Sequence, residues 1–304
     1  MREEESTMES IRLSVLDLVP QYNGVRSETA LHEAARLAIL SETWGYDRYW
    51  VAEHHDLEGL ACTSPEILMS HIGARTQRIR LGSGALLLPH YSPMKVAESF
   101  HLLSCLYPGR VDLGIGRAPG GPAHASMALS GNFLQHVADM PSSMDALIKF
   151  FENEYQYEDH PVMARPIPQE PPEIWMLGTN EKSGKYAAEF GAGYVFGHFM
   201  SEQDGESVLR AYRDEFRPGK LRQIPETIVA VSVVCAGSED EARSLMTPVT
   251  TPLSRSLVGN PGKIHEDLKR LQSALGNCEF LIVCPIPEYE ARLDSYRLLA
   301  EQLL

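Results

Sequence analysis

The chain is short of positive charge and of organised sulfur. Its 304 residues hold 27 Lys and Arg against 41 Asp and Glu, a formal charge of −14. Nucleic-acid phosphates demand a basic face, so the balance argues against that partner, and an anionic ligand must be held by local cations and backbone N–H groups. Five cysteines, Cys62, Cys105, Cys235, Cys278 and Cys284, are scattered with neither a CxxC pair nor a secretory framework, which points to a reduced, cytoplasmic protein. No run approaches the roughly 20 apolar residues that span a bilayer. Residues 1–10 are polar and lack the apolar core of a signal peptide; they are expected to be a disordered tail ahead of one domain at 11–304. No repeat or low-complexity linker divides the rest.

What is present is an alternation of apolar strands and amphipathic helices. Strands are expected at residues 11–18, 47–52, 79–88, 110–116, 173–177, 193–197, 227–236 and 279–284. Helices are expected between them at 28–43, 64–76, 93–106, 142–154, 180–190, 201–216, 261–275 and 287–304. Residues 118–141 and 247–258 show no strong period and read as loops, and the proline- and charge-rich stretch 155–172 is expected to wrap the surface. Eight strands separated by helices imply a parallel sheet with right-handed crossovers. Eight units in this length fit a single (β/α)8 TIM barrel. An open doubly wound sheet is the alternative, but its dinucleotide fingerprint is only partly matched at 114–120 (GIGRAPG).

In such a barrel the active site lies at the carboxyl ends of the strands. Those ends carry Asp17, Glu53-His54-His55, Pro89-His90, Gly116-Arg117, Leu177-Gly178-Thr179-Asn180 and Gly197-His198. With His55 turned to the opposite face, His54, His90, His198 and Arg117 therefore meet on one rim. The third strand is interrupted by Gly82-Ser83-Gly84 and the fourth thins at Gly114-Ile115-Gly116. Glycine inside an apolar strand marks a bulge, a close backbone approach by a ligand, or relief of crowding at a barrel rim. The Glu53-His54-His55 triplet is not read as a metal site, because neighbouring strand residues face opposite ways. Glu53 is expected to pair with a helix residue outside the barrel. His54, on the same face as Trp50 and Ala52, tops the core, where an imidazole can give or take a proton. Lys95, Glu98 and His101 form a polar helix face expected to be solvated or at a dimer interface.

Four segments together resemble the bacterial luciferase-like flavin-dependent monooxygenases: residues 45–55 (GYDRYWVAEHH), 81–90 (LGSGALLLPH), 108–117 (PGRVDLGIGR) and 173–180 (EIWMLGTN). The likeness runs in order along nearly the whole chain. It implies a (β/α)8 barrel, usually a homodimer built on the helices after strands two and three, that binds reduced FMN (FMNH2) or the deazaflavin F420 at the carboxyl rim. By the same resemblance His54 falls on the catalytic histidine, and Gly84-Ala85 falls on a bulge, often with a non-proline cis peptide, that supports the flavin ring. Arg117 falls on the phosphate-holding arginine, with Thr179, Asn180 and Ser183 as partners at a helix N-terminus, where free N–H groups and the helix dipole favour an anion. The reactive cysteine of light-emitting members falls on Gly116, which argues against bioluminescence.

The expected site therefore comprises His54 as catalytic residue. Asp17, Ser83, Gly84, Ala85, Gly116, Arg117, Leu177, Gly178, Thr179, Asn180, Ser183 and His198 would bind the cofactor. The expected activity is oxygenation of a small organic substrate by O2, with reduced FMN delivered by a flavin reductase. An F420-dependent hydride transfer or a catalytically idle flavin-binding protein are the alternatives.

Overall fold

The computed structural model describes residues 10–22, 24–246 and 255–304. The expected tail at 1–9 and residues 247–254 of the expected loop lie outside them. Eight parallel strands are present: β1 (Arg12–Asp17), β2 (Arg48–Val51), β3 (Arg80–Ser83), β4 (Val111–Gly116), β5 (Glu173–Gly178), β6 (Gly193–Gly197), β7 (Thr227–Cys235) and β8 (Glu279–Val283). They pair in chain order, and β8 pairs with β1 to close the ring. The molecule is thus a single (β/α)8 barrel rather than an open sheet. Around it lie α1 (Ser27–Trp44), α2 (Pro65–Gly73), α3 (Pro93–Leu106), α4 (Met140–Phe151), α5 (Glu181–Glu189), α6 (Gly205–Glu215), α7 (Pro261–Leu275) and α8 (Tyr289–Leu303), one after each strand.

Strand side chains alternate between two cores. Outward residues such as Leu13, Val15, Tyr49 and Leu113 pack under the helices against Leu37 and Phe100. Inward residues Leu16, Trp50, Ala52, Trp175, Ile228 and Leu281 fill the barrel. At the amino-terminal end the interior is plugged by charge. Arg48 donates to Asp112 and to Glu279, both at 2.9 Å, Ser14 donates to Glu279 at 2.7 Å, and Arg80 donates to Asp112. Buried charges persist only when so paired. Above the plug sit Trp50 and Trp175, ring centroids 6.0 Å apart. Their bulk is accommodated by register: Trp50 lies opposite Gly82 and Trp175 opposite Gly193. A Cβ on Gly82 would strike the Trp50 indole, so this glycine makes room for a core ring and not for a ligand.

There are three local departures from expectation, the first two where little is buried and the periodic signal is weak. Residues 118–141 contain two short helices, Ala123–Ser130 and Phe133–Ala138, of which only Ser126 is buried. Leu257–Gly259 is a short strand beside the end of β7. His101 is 1% exposed and its Nδ1 lies 2.7 Å from the Ala164 carbonyl oxygen; the segment expected to wrap the surface covers α3 there, so His101 is neither solvated nor free for a partner. Among the described residues no helix is long and apolar enough to cross a membrane.

Candidate active site

The carboxyl mouth of the barrel opens on a cavity of about 450 Å³. Its floor is the upper layer of the inner core, Leu16, Ala52, Val195 and Ala230. One wall is a break in β3. Between Gly82, opposite Asp112, and Leu86, opposite Ile115, β3 spends one residue more than β4, which makes a bulge. The Gly84–Ala85 peptide within it is cis. A Cβ on Gly84 would come within 2.5 Å of Leu16, and one on Gly116 within 3.0 Å of the Ala85 methyl. Tight packing thus requires both glycines, and both border the cavity.

Glu53 holds this bulge. It is 2% exposed, its Oε2 accepts the Leu87 N–H at 2.9 Å, and its Oε1 accepts the Tyr91 hydroxyl at 2.9 Å and meets His55 Nε2 at 2.7 Å. Burial pushes its carboxyl above the usual range, with the Leu87 N–H, His55 and Tyr91 opposing. The expected partner on an outer helix is replaced by the far side of the bulge, because a buried N–H there needs an acceptor. Glu53→Ala should cost about 2–4 kcal/mol of unfolding free energy in urea, since two buried donors lose their acceptor. Glu53→Gln should recover most of that, because a carboxamide oxygen can still accept the Leu87 N–H; equal losses would show that the charge itself is required.

His54 lines the same cavity. Its backbone N–H is fixed on the Cys62 carbonyl oxygen at 2.9 Å. Its ring Nδ1 is shielded from solvent and has no hydrogen-bond partner among the described residues. Burial, and then the neighbouring His55, lower its proton affinity, so the ring is neutral near pH 7 and can donate from one nitrogen while accepting at the other.

Arg117 follows β4, half-buried, with its guanidinium 6.0 Å from the centre of the Tyr186 ring. It makes no ion pair among the described residues, unlike the barrel-floor arginines. Lys182 Nζ lies 5.9 Å from the same ring. Beside them α5 begins: the Asn180 side chain accepts the Ser183 N–H at 3.1 Å, and Ser183 Oγ donates to the Asn180 carbonyl at 2.6 Å. The Glu181 N–H is taken by Gln203 at 2.9 Å. Much of the helix terminus expected to offer free amides is thus satisfied within the chain, which leaves the charge of Arg117 as the main anion-attracting feature.

Of the residues singled out in the sequence, His54, Gly84, Ala85, Gly116, Arg117 and Leu177 line this cavity, as do Gly178, Thr179, Asn180 and Ser183. Asp17, Ser83 and His198 do not. Asp17 is fully buried, accepting from the Val19 N–H at 2.7 Å, from Arg292 at 2.6 Å and from the Tyr49 hydroxyl, which places its carboxylate between β1 and α8. Ser83 is turned into the sheet, where its hydroxyl donates to the Gly114 carbonyl at 2.8 Å. His198 lies in the turn after β6, and its Nδ1 is buried without a partner among the described residues. His90, the third rim histidine, is drawn away to Ser130 and the Pro119 carbonyl, both at 3.0 Å. Among the further residues that line it are Glu53, Leu18, Leu87 and Met200. Only Glu53 carried a signal, its place next to His54.

Residues 11–278 match the luciferase-like monooxygenase family. The chain belongs to that family. It is an oxidoreductase, and its relatives include the N-acetyl-S-alkylcysteine monooxygenase of Bacillus subtilis (strain 168), 32% identical over 97% of this chain and 98% of that protein. The crystal structure of apo-MsnO8 matches with a TM-score of 0.90 and 32% identity, over 97% of this chain and 99% of that one. Two more distant structures share the fold of this luciferase-like monooxygenase. The oxygenating constituent of 3,6-diketocamphane monooxygenase from Pseudomonas putida, in complex with FMN, has a TM-score of 0.75 at 19% identity over 97% and 98% of the two chains. An F420-dependent secondary alcohol dehydrogenase has a TM-score of 0.72 at 16% identity over 97% and 100%.

Proposed function

We propose that this luciferase-like monooxygenase uses reduced FMN, delivered by a separate cytoplasmic flavin reductase, to place one oxygen atom of O2 on a small organic substrate while the other leaves as water. The observation that carries the reading is one cavity lined by small and apolar residues that holds an arginine with no ion pair among the described residues and a neutral histidine whose Nδ1 has no partner among them. When bound, the reduced flavin supplies the two electrons that the reaction consumes. Arg117 holds the phosphate, seconded by Thr179, Asn180 and Ser183. The Gly84–Ala85 backbone, Gly116, Leu177 and Gly178 face the ring system. His54 holds or delivers a proton at the reacting oxygen, and the apolar floor excludes water. Asp17, Ser83 and His198 would then support the site without touching the cofactor. An F420 tail, longer and more anionic, calls for more cations than Arg117 and the exposed Lys182. Ile67 on α2 and Leu102 and Leu106 on α3 are 68%, 51% and 54% exposed, which supports these helices as a homodimer face; sedimentation as a monomer would refute it.

Arg117 provides the test. Arg117→Ala should weaken FMN by about 1.5–3 kcal/mol, the worth of a charge-assisted hydrogen bond. Riboflavin, which lacks the phosphate, should bind almost unchanged. Equal losses for both ligands in calorimetry would make Arg117 structural and remove the phosphate assignment.

A further inference from the structure

Every charged side chain on the cavity wall already has a task. Among the described lining residues the ionisable groups are Glu53, His54 and Arg117. Both carboxylate oxygens of Glu53 are engaged with Leu87, Tyr91 and His55, so a cation entering the cavity finds no free acceptor there. His54 is kept neutral by burial and gives an anion no full counter-charge. Arg117, in the reading above, is taken by the flavin phosphate.

The remaining surface is hydrocarbon. Leu16, Leu18, Val195, Phe199, Met200 and Ala230 line it. Two further cations, Lys182 over the Tyr186 ring and Arg255 with its effect on His198, are not part of the wall. An ion moved from water into such a place loses hydration and gains no partner.

We infer that the oxygen-accepting substrate is uncharged and largely apolar, carrying no carboxylate, phosphate or ammonium group. The inference rests on the FMN reading, since it is the phosphate that removes Arg117 from use. Selection works by exclusion: apolar contact is modest and tolerant of shape, whereas an unpaired buried ion is strongly disfavoured.

The experiment uses three probes of one chain length, hexan-1-ol, hexanoate and hexylammonium, titrated by calorimetry into the full-length protein saturated with oxidised FMN. Hexanol should bind roughly tenfold or more tighter than either ion, the penalty for stripping a charge without a partner. Arg255→Ala and Lys182→Ala should leave that order unchanged. Hexanoate binding as well as hexanol, above all if Arg255→Ala abolished it, would overturn the inference and place a second anion subsite beside His198. Failure of hexanol to bind a protein that does bind FMN would also overturn it. Failure of FMN itself to bind in the preceding titration would sink the flavin reading, and this inference with it.

Discussion

His54→Ala is expected to lower turnover with reduced FMN by about 10²–10⁴ while leaving FMN affinity within a few-fold, the pattern of a lost proton-transfer group. Among the described residues the side chain has no hydrogen bond to lose, for its anchoring bond is made by the backbone N–H to Cys62. Its removal should therefore spare the fold. Burial lowers the proton affinity of the ring, so turnover should hold steady down through the ordinary histidine range near 6.5 and fall only below it. Stability follows the same sign. The unfolded chain protonates this histidine at higher pH than the folded one, so its contribution is complete above the ordinary value and is lost as pH falls toward the folded one. His101 and His198, also depressed first by burial, act in the same direction. Stopped-flow turnover and FMN titration check the first claim, and melting temperature against pH the second. Loss of FMN binding together with turnover would show that His54 builds the site rather than acts in it.

Asp17→Ala is expected to cost about 3–5 kcal/mol of stability, because it strands the Arg292 guanidinium, 3% exposed, without its carboxylate. The Val19 N–H and the Tyr49 hydroxyl lose an acceptor in the same step. In whatever fraction stays folded, FMN affinity should match the wild type, since Asp17 lies off the cavity wall. Denaturant unfolding and flavin titration on the same preparation separate the two effects. A stable variant that fails to bind flavin would return Asp17 to the cofactor site.

These two residues show where reading the chain succeeds and where it stops. Both end apolar strands, and from the sequence both stand on the same rim, but His54 shares the inward face of Trp50 and Ala52 whereas Asp17 shares the outward face of Leu13 and Val15. His54 stays at the cavity because the chain beyond β2 carries it over the barrel mouth, its amide on Cys62. Asp17 is withdrawn because Arg292, 275 positions later, meets it from α8. No local pattern announces that pairing.

Glycine divides in the same way. Gly82 and Gly84 are two residues apart in one motif and both give way to inner-core side chains, Gly82 to Trp50 and Gly84 to Leu16 and Trp50, yet only Gly84 also borders the cavity. The side of the sheet that a small residue relieves depends on which large residue stands opposite in the register.

Strand and helix order, the closed barrel and the carboxyl rim as the place of the candidate site were determined by the sequence alone. Period-two and period-3.6 burial is a local property, and eight alternations leave few ways to bury both faces of a sheet. Which rim side chains point into the cavity, which are consumed by buried ion pairs, and that Glu53 ties the bulge across β3 were decided only by the tertiary structure. Those outcomes depend on partners tens to hundreds of residues away, where the need to pair a buried charge or N–H outweighs any local preference.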